Sequence, residues 1–220
     1  EDLLGRQPHT PDWKAIRGWL GARAVLVTGA GGSIGLELCR QCARHGAHRI
    51  TLLEIDELAL LTAETELKRD FPGIECILVL GDCGDPAVIA YALRKSEPEA
   101  VFHAAAYKQV PLLQGQLREA VRNNVLATDV VARACRDAKV ATFVLISTDK
   151  AVDPVNVLGA TKRLAEMVCQ GLVDPRSTRM VTVRFGNVLD SAGSVVPLFR
   201  EQIRRGGPVT VTDRDVTRYF

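Results

Sequence analysis

The sequence predicts an α/β fold, a Rossmann-type doubly wound parallel sheet followed by the start of a smaller C-terminal lobe. Two observations support this fold class. Short segments rich in β-branched and aliphatic residues alternate with longer segments of helical periodicity, and a glycine-rich stretch joins the first strand to the helix after it. Strands that are apolar on both faces are typical of buried parallel sheets. Regular strand–helix alternation indicates right-handed crossovers.

Six strands and five helices follow one another along the chain. The predicted strands are 24–28, 49–54, 76–80, 100–104, 142–147 and 180–185. The predicted helices are about 33–45, 57–69, 86–95, 117–138 and 156–172. The first 20 residues, with Trp13 and Trp19, indicate a helical lead-in.

Composition excludes several function classes. Hydrophobic residues make up 47% and charged residues 25% of the 220 residues, as in ordinary globular proteins. The net charge of +2 gives no strong field for nucleic acid or anionic membrane. No apolar stretch approaches the roughly 18 residues of a membrane span, and EDLLGRQPHT is too polar for a signal peptide. We predict six reduced thiols and no metal site, since the Cys39/Cys42 pair has no second pair.

The stretch VLVTGAGGSIGLEL predicts a dinucleotide-binding loop. Gly29, Gly32 and Gly35 have G-x-x-G-x-x-G spacing, and Gly31 adds further conformational freedom to the backbone of the loop. The first glycine allows a tight turn, the second lets the backbone approach a pyrophosphate, and the third lets the helix pack on the strand. The helix N-terminus offers unpaired N–H groups and about half a positive charge to the phosphates. Strand, glycines and helix occur in the order that such a site requires.

An acidic residue, Glu54, closes the second predicted strand. A carboxylate there can accept both ribose hydroxyls of the adenosine half and would repel a 2′-phosphate. Two such charges about 4 Å apart cost on the order of 4 kcal/mol at a surface-like dielectric, so we predict NAD and not NADP. Alternatively, Glu54 is a solvated strand end and Asp56 only a helix cap. Asp82, after the third strand, either reaches the adenine amino group or caps a helix.

The second candidate site is STDKAVDPVNVLGATK, residues 147–162. Asp149 and Lys150 follow a predicted buried strand and enter the cleft at the carboxyl edge of the sheet, where ligands of α/β proteins bind. Burial raises the pKa of an Asp and lowers that of a Lys, so modest burial would bring both towards neutrality. The alternative is an ion pair that only holds a loop. Lys162, four residues after Leu158, shares a helix face with it.

Several of these segments together resemble a known family: TGAGGSIG, VFHAAAYKQVP, NNVLAT, ISTDKAVDPVNVLGATKR and VRFGNVLDSAGSVVPLF. They are similar to the extended short-chain dehydrogenase/reductases that act on nucleotide sugars. Over its whole length the chain resembles the catalytic domain of the membrane-anchored UDP-N-acetylglucosamine 4,6-dehydratases of bacterial polysaccharide and glycan biosynthesis. Two positions depart from the family pattern: Gln109 stands where His is common, and Asp190 where Gly is common.

The resemblance also implies a domain organisation. We expect a lead-in over 1–20 after a membrane region absent from the chain, an NAD-binding Rossmann domain over 21–190, and the beginning of a truncated substrate-binding lobe over 191–220. A cytoplasmic domain, held at the inner membrane by that absent region, is implied. The implied partners are a UDP-sugar substrate and no nucleic acid. The resemblance also implies a homo-oligomer with a second copy of the chain, which is common in this superfamily.

The chemistry that the resemblance implies begins with a hydride leaving sugar carbon 4 for NAD. Water then leaves across carbons 5 and 6, and the hydride returns to carbon 6, which gives a 4-keto-6-deoxy sugar nucleotide. Asp149 is implied as the acid, Lys150 as the base, and Lys162 as a contact to the nicotinamide ribose. This superfamily often has Tyr at the position of Leu158, so the carbon 4 proton would leave through Thr148, Asp149 or a water. Ser147 and Thr148 are alternatively hydroxyls that cap the loop.

The remaining assignments rest on the position of a residue relative to a strand, as for Lys108 and His103, or on the resemblance. Lys108 is substrate-facing or else a solvated loop lysine, Asn124 braces the active-site strand, and His103 is a packed, satisfied histidine. The predicted catalytic residues are Thr148, Asp149, Lys150 and Lys162. The predicted cofactor residues are Gly29, Gly31, Gly32, Ser33, Ile34, Gly35, Glu54, Asp82, Ala104, Ala105 and Lys162. The predicted substrate residues are Lys108, Asn187 and Arg218. A nucleotide-sugar epimerase and a non-catalytic NAD-binding regulator are the alternative functions.

Overall fold

The computed structural model describes residues 10–191, 193–211 and 213–215. The strands within these ranges are β1 (Ala24–Thr28), β2 (Arg49–Glu54), β3 (Glu75–Leu80), β4 (Ala100–His103), β5 (Thr142–Thr148) and β6 (Arg179–Phe185). The helices there are α1 (Trp13–Leu20), α2 (Ser33–Arg44), α3 (Glu57–Asp70), α4 (Pro86–Ser96), α5 (Val110–Gln114), α6 (Leu117–Val121), α7 (Ala127–Asp137), α8 (Val157–Gly171) and α9 (Val195–Arg204). A π-helical turn, Arg122–Leu126, joins α6 to α7, and a 3₁₀ turn, Asp149–Ala151, follows β5.

The six strands form one sheet in the order β3-β2-β1-β4-β5-β6. The pairs β1–β2, β1–β4, β2–β3 and β4–β5 are parallel. The chain moves outwards from β1 to β3, then returns to place β4 on the other side of β1. Ligands of doubly wound folds bind outside the carboxyl ends of the strands at this switch point. The predicted Rossmann-type sheet is therefore confirmed.

Two hydrophobic clusters cover the two faces of the sheet. Successive strand side chains point to opposite faces, and β1 accordingly contributes Leu26 to one cluster and Val25 and Val27 to the other. The cluster around Leu26 includes residues of α4, α7 and α8, and the cluster around Val25 includes residues of α1, α2 and α3. Helices on both faces hold the carboxyl ends of the strands in fixed register.

Side-chain caps mark where α3, α4 and α8 begin. Asp56 accepts a hydrogen bond from the Ala59 amide at the start of α3, as the sequence predicted for a cap. Asp85 caps α4, and Asn156 accepts a hydrogen bond of 2.9 Å from the Gly159 amide at the start of α8. The cap on α8 fixes the first turn of the helix that carries Lys162.

The predicted strand bounds agree with the structure to within one residue, but the region between β4 and β5 differs. Residues 110–114 form α5, which no predicted helix covers, because five residues are too few to show a helical period. The predicted helix 117–138 is interrupted by the π-helical turn, which buries Asn124. Such turns often occur at functional sites.

Residues 12–184 form one compact unit, and the described residues before and after this range belong to a second. The first unit holds all the strands except the last residue of β6. Among the described residues of the second unit, Arg200 pairs with Asp190 at 2.5 Å. The functional boundaries proposed from the sequence stay predictions. No helix in the described ranges is long and apolar enough to cross a membrane.

Candidate active site

The glycine loop after β1 is built on contacts that a side chain would block. Gly29 has a φ of +65°, in the left-handed region, and a Cβ there would lie 2.8 Å from the backbone of Ala105. The segment after β4 therefore packs directly on the loop, and the Ala104 amide donates to the Thr28 carbonyl at 3.2 Å. This is the tight turn that the glycine spacing predicted.

The other glycines of the loop bring two helices close. A Cβ on Gly35 would lie 2.0 Å from the Gly29 carbonyl oxygen, which explains how α2 approaches β1. A Cβ on Gly31 would lie 2.6 Å from the Cβ of Ala59 in α3, a contact that the sequence did not reveal. Gly32 is the N-cap of α2 and offers no side-chain cap. The first turn of α2, with Ser33 and Ile34, thus has the arrangement of a helix N-terminus that binds phosphate.

Gly35→Ala is expected to lower the free energy of unfolding by about 3 kcal/mol, near the upper end of typical overpacking costs. The methyl group would overlap backbone atoms, which cannot rotate away. Gly18→Ala in α1 is the matched control, since its Cβ would have no heavy atom within 4 Å and alanine is favoured in helices by about 0.5–1 kcal/mol. Urea denaturation measures both. Equal midpoints for Gly35→Ala and the native protein would contradict the close approach.

The carboxylate of Glu54 lies at the glycine loop. Its Oε2 accepts a hydrogen bond of 3.0 Å from the Gly31 amide. Its Oε1 accepts from the amides of Ile55 at 2.8 Å and Asp56 at 3.2 Å. Three backbone donors therefore hold this half-buried carboxylate beside the loop, a fixed position that a freely solvated strand end would not have.

Asp82 does not cap a helix, so that alternative is wrong. Asp85 is the residue that caps α4, whereas Asp82 Oδ1 accepts from the Gly84 amide at 2.8 Å and its Oδ2 lies 3.3 Å from Arg122 Nη1. Asp82 is thus held at the carboxyl end of β3 by a tight turn and by the π-helical turn. Its predicted contact to an adenine amino group stays a prediction.

His103 is a satisfied core histidine, as predicted. Its Nδ1 lies 2.7 Å from Thr28 Oγ1 and its Nε2 3.0 Å from Thr128 Oγ1. The Thr128 hydroxyl donates its one proton to the Asn124 carbonyl, so Nε2 is the donor to Thr128 and Thr28 donates to Nδ1. Burial and the charge of Lys162 lower the pKa of His103 to about 3. This neutral ring ties the end of β1 to α7.

Asn124 braces a loop and a helix, and not the active-site strand that the resemblance implied. Its side chain accepts from the Tyr107 amide at 2.9 Å and donates to the Tyr107 carbonyl at 3.1 Å. It also donates to Thr161 Oγ1 of α8 at 3.1 Å. The π-helical turn places this buried amide between the segment after β4 and the helix that carries Lys162.

Asp149 and Lys150 form an ion pair in the 3₁₀ turn after β5. Lys150 Nζ lies 3.0 Å from Asp149 Oδ1, and the side chains are 31% and 41% exposed, respectively. Thr148 donates to the same oxygen at 2.9 Å and caps the turn. Burial acts to raise the pKa of Asp149, but the hydrogen bonds from Lys150 and Thr148 outweigh it and lower the pKa overall. The expectation that burial would bring this pKa towards neutrality is therefore wrong.

Gly159 sets how closely α8 approaches this turn, and the sequence reasoning missed it. A Cβ at Gly159 would lie 2.1 Å from the Lys150 carbonyl oxygen. The turn with Asp149 and Lys150 thus rests directly on the first turn of α8. The glycine next to Leu158 was the available signal, since a helix with glycine near its start often marks a close backbone approach.

Two residues of α8, Leu158 and Lys162, are buried for different reasons. Leu158 is 7% exposed and packs in a small apolar cluster with Leu113 of α5 and Ala120 of α6. Lys162 is 5% exposed. Burial lowers its pKa to about 8, against the opposing effects of Cys169 and Glu166. A lysine this buried, at the edge where ligands bind, is a candidate functional group.

A buried carboxylate, Glu166, joins three elements and was missed by the sequence reasoning. It accepts from Ser147 Oγ of β5 at 2.6 Å, from Arg184 of β6 at 2.8 and 2.5 Å, and from Arg163 at 3.1 Å. Burial acts to raise the pKa of Glu166, but these hydrogen bonds outweigh it and lower the pKa to about 2. Of the two hydroxyls predicted to cap the loop, Thr148 does so, whereas Ser147 is bound to α8.

The predicted substrate residues lie in different parts of the chain. Lys108 is exposed and lines a cavity of about 280 Å³ with Tyr107, Gln109, Leu112, Leu113, Gln116 and Glu119. Asn187 belongs to the second unit, and Arg218 lies outside the described residues.

The glycine loop and the Thr148–Lys150 turn lie at the same edge of the sheet. In the parallel register, Thr28 of β1 is opposite His103 of β4, which in turn is opposite Leu145 of β5. Because β1, β4 and β5 are adjacent, their carboxyl ends open into one crevice. The charge of Lys162 acts on His103, at the end of β4 in this crevice.

Residues 25–220 match the family model described as polysaccharide biosynthesis protein. The chain belongs to this family. It is 49% identical over 222 residues to the capsular polysaccharide biosynthesis protein CapD of Staphylococcus aureus, an alignment that covers 100% of this chain and 37% of CapD. The chain therefore spans little more than a third of the length of that member of the family. The resemblance to proteins of bacterial polysaccharide biosynthesis is confirmed.

Solved structures share the fold. Pen from Bacillus thuringiensis is 30% identical, with a TM-score of 0.84 over 91% of this chain and 63% of Pen. DesIV, a dTDP-glucose 4,6-dehydratase from Streptomyces venezuelae solved with NAD bound, is 21% identical, with a TM-score of 0.69 over 84% of this chain and 63% of DesIV. At that identity the likeness to DesIV shows the fold alone.

Proposed function

We propose that the protein is an NAD-dependent nucleotide-sugar 4,6-dehydratase of polysaccharide biosynthesis that acts on UDP-N-acetylglucosamine. The observation that carries the proposal is the Asp149–Lys150 pair, 3.0 Å apart and partly exposed in the crevice after β5. Elimination needs one group that accepts a proton and one that donates it, and this turn supplies both. Membership of the polysaccharide biosynthesis family supports a sugar nucleotide as the substrate.

The residues of the crevice at the glycine loop fit a dinucleotide. The positions of Gly29 and Gly35 leave no room for a Cβ, and the N-terminus of α2 has no side-chain cap, so backbone amides face the crevice. Glu54 is fixed where it can accept ribose hydroxyls, and Asp82 and Lys162 would hold the adenine and the nicotinamide ribose. When bound, NAD supplies a reversible hydride acceptor.

NAD should bind at least about tenfold more tightly than NADP, because repulsion between Glu54 and a 2′-phosphate exceeds the roughly 1.4 kcal/mol that a tenfold ratio requires. Calorimetric titration of both dinucleotides measures the ratio. Glu54→Gln is the control, since it removes the charge and keeps an acceptor for the Gly31 amide, and it should bring the ratio towards one. Equal affinities in the native protein would refute the assignment of Glu54.

The lowered pKa of Asp149 suits a group that begins the cycle ionised. Thr148 donates to Asp149 Oδ1, so its hydroxyl can take the proton of the carbon 4 hydroxyl while passing its own to the carboxylate. Leu158 has no proton to offer, and Thr148 replaces the missing tyrosine in this step. Asp149 is then protonated and can give that proton to the departing carbon 6 hydroxyl.

Lys150 must be neutral when it removes the carbon 5 proton, so its ammonium group first releases a proton to solvent. Lys150 then takes the carbon 5 proton, returns it to carbon 5, and regains its own proton from solvent when the product leaves. Asp149, which receives the carbon 4 hydroxyl proton and gives it to the departing hydroxyl, likewise ends the cycle as it began. The hydrogen and the hydroxyl lost as water come from the hydroxyl groups of carbons 4 and 6, and the atoms balance.

Incubation of the protein with NAD and UDP-N-acetylglucosamine, followed by mass measurement, tests the proposal. Loss of one water from the sugar nucleotide is the expected result. An isomer of unchanged mass would show the epimerase alternative, and bound NAD that the sugar never reduces would show a non-catalytic regulator. Anchoring of a longer protein at the inner membrane, with this domain in the cytoplasm, belongs to the same proposal and is tested by cell fractionation.

A further inference from the structure

We infer that Glu166 is a positioning residue of the proposed site: it fixes the carboxyl end of β5 through Ser147 and places a permanent negative charge one helical turn from Lys162. The inference rests on the proposed function, because the site that Glu166 supports is the proposed active site. Glu166 has no place in the proton transfers described above, and it is 1% exposed. A carboxylate is costly to bury unless it is paired, so its surroundings indicate what it does.

The first half of the inference comes from the Ser147 contact. Ser147 is the residue directly before Thr148, is 2% exposed, and donates to Glu166 Oε1 at 2.6 Å. A hydrogen bond from a hydroxyl to a carboxylate is among the stronger kinds. It ties the end of β5 to the middle of α8. The Asp149–Ala151 turn begins two residues after Ser147. Through Ser147, Glu166 thus holds the strand end from which the turn with Asp149 and Lys150 begins.

The second half comes from charge. Lys162 and Glu166 are four residues apart on α8, on one helix face. In the part of the chain that the structure describes, no carboxylate lies within ion-pair distance of the Lys162 ammonium. Cys169 and Glu166 of α8 act on the charge of Lys162, and that charge in turn acts on His103 of β4. Glu166 therefore opposes the effect of burial on Lys162.

The two arginines keep that charge permanent. Arg184 makes two hydrogen bonds to Glu166 and Arg163 a third. With its pKa at about 2, the carboxylate is ionised throughout the pH range in which Lys162 titrates. Removing the carboxylate would take its negative charge away from Lys162, on which the two arginines have no resolved effect. The pKa of Lys162 would then fall below about 8, and less of it would be protonated at neutral pH.

Titration of Lys162 in the protein alone, followed by NMR of isotope-labelled lysine side chains, tests the charge. Lys162→Met identifies the resonance. Glu166→Gln keeps the shape and removes the charge, and it should weaken proton binding to Lys162 several-fold. Glu64→Gln is the matched control, because Glu64 pairs with Lys68 four residues on but is remote from the site; it should leave the Lys162 midpoint in place. A midpoint that rises or stays in Glu166→Gln overturns the inference.

Glu166→Asp keeps the test decisive if the glutamine variant does not fold. It retains the charge with a shorter side chain, so Lys162 should still titrate near 8. A midpoint that moves towards that of an ordinary lysine would show that Glu166 acts by packing alone. None of these measurements needs a sugar nucleotide. A failed water-loss assay would therefore refute the dehydratase and leave the Glu166 result standing.

Ser147→Ala tests the positioning half. It removes the hydroxyl and keeps the charge, so the Lys162 midpoint should not move. Amide hydrogen exchange at Val152, whose N–H donates to the Asp149 carbonyl at 3.0 Å, should become several-fold faster because the turn loses its tie to α8. Unchanged exchange would show that Ser147 does not hold the turn.

Discussion

Lys150→Met is expected to stop exchange of the carbon 5 hydrogen of the sugar nucleotide with solvent, and Asp149→Asn to slow the loss of water. Losing a positioned acid or base typically costs about 10²–10⁴-fold. Methionine has a length close to that of lysine but cannot take a proton. Asparagine keeps an acceptor for the Thr148 hydroxyl, which donates to Asp149 at 2.9 Å, but it cannot pass a proton on. Deuterium incorporation from heavy water and single-turnover mass measurement separate the two steps.

An ion pair outside the site provides the control for these two variants. Lys68 and Glu64 lie 2.6 Å apart on α3, so Lys68→Met and Glu64→Gln remove a comparable pair and should leave both rates unchanged. Normal carbon 5 exchange in Lys150→Met would show that another base acts. A normal rate of water loss in Asp149→Asn would remove the carboxylate from the mechanism and leave the ion pair as a loop contact only.

The sequence predicted the strands well because their signal is local. Strands such as β1 and β5 are apolar on both faces, so their ends are visible where polar residues or glycines begin. The glycine spacing likewise predicted the turn at Gly29 and the close packing of Gly35 on the Gly29 carbonyl, because both lie within the strand–loop–helix unit that carries the pattern. The contact of Gly29 with Ala105, after β4, could not be predicted from that unit. The prediction of NAD rests on Glu54, whose place at the end of β2 was also predicted from the sequence.

What the sequence did not show depends on residues that are distant along the chain. Glu166 and Arg184 look like ordinary polar residues of a helix and a strand, and their pairing appears only when β6 lies beside β5. Gly31 and Gly159 contact partners that are 28 and 9 residues away in sequence, Ala59 and Lys150. The pKa of Asp149 was misjudged because the direction depends on which donors reach the carboxylate, and not on burial alone.

Lys162→Ala is expected to slow the first hydride transfer far more than Leu158→Ala. Lys162 is buried at the edge where the cofactor is proposed to lie, and its ammonium supplies both a positive charge and a hydrogen-bond donor. Removing one such preorganised donor costs about 10²–10³-fold, and NAD binding should weaken as well. Because the protonated form is required and the pKa is about 8, the native rate should also fall as the pH rises through 8. Single-turnover formation of NADH measures both variants and the pH profile.

Leu158→Ala should change stability more than rate. Its side chain is 7% exposed and fills a small apolar cluster with Leu113 and Ala120. A leucine-to-alanine change in a core costs about 2–5 kcal/mol, depending on how far the cavity collapses, and this cluster is small, so a loss near the lower end is expected. Because leucine carries no exchangeable proton, the rate should fall less than about tenfold, and Leu158→Met, which keeps the volume, should restore stability. If Leu158→Ala slowed hydride transfer more than Lys162→Ala, the helix face that carries both residues would act on the cofactor through packing, and the ammonium could not be the group that orients it. If neither variant changed the rate, the crevice between the glycine loop and the Thr148–Lys150 turn would not be the active site.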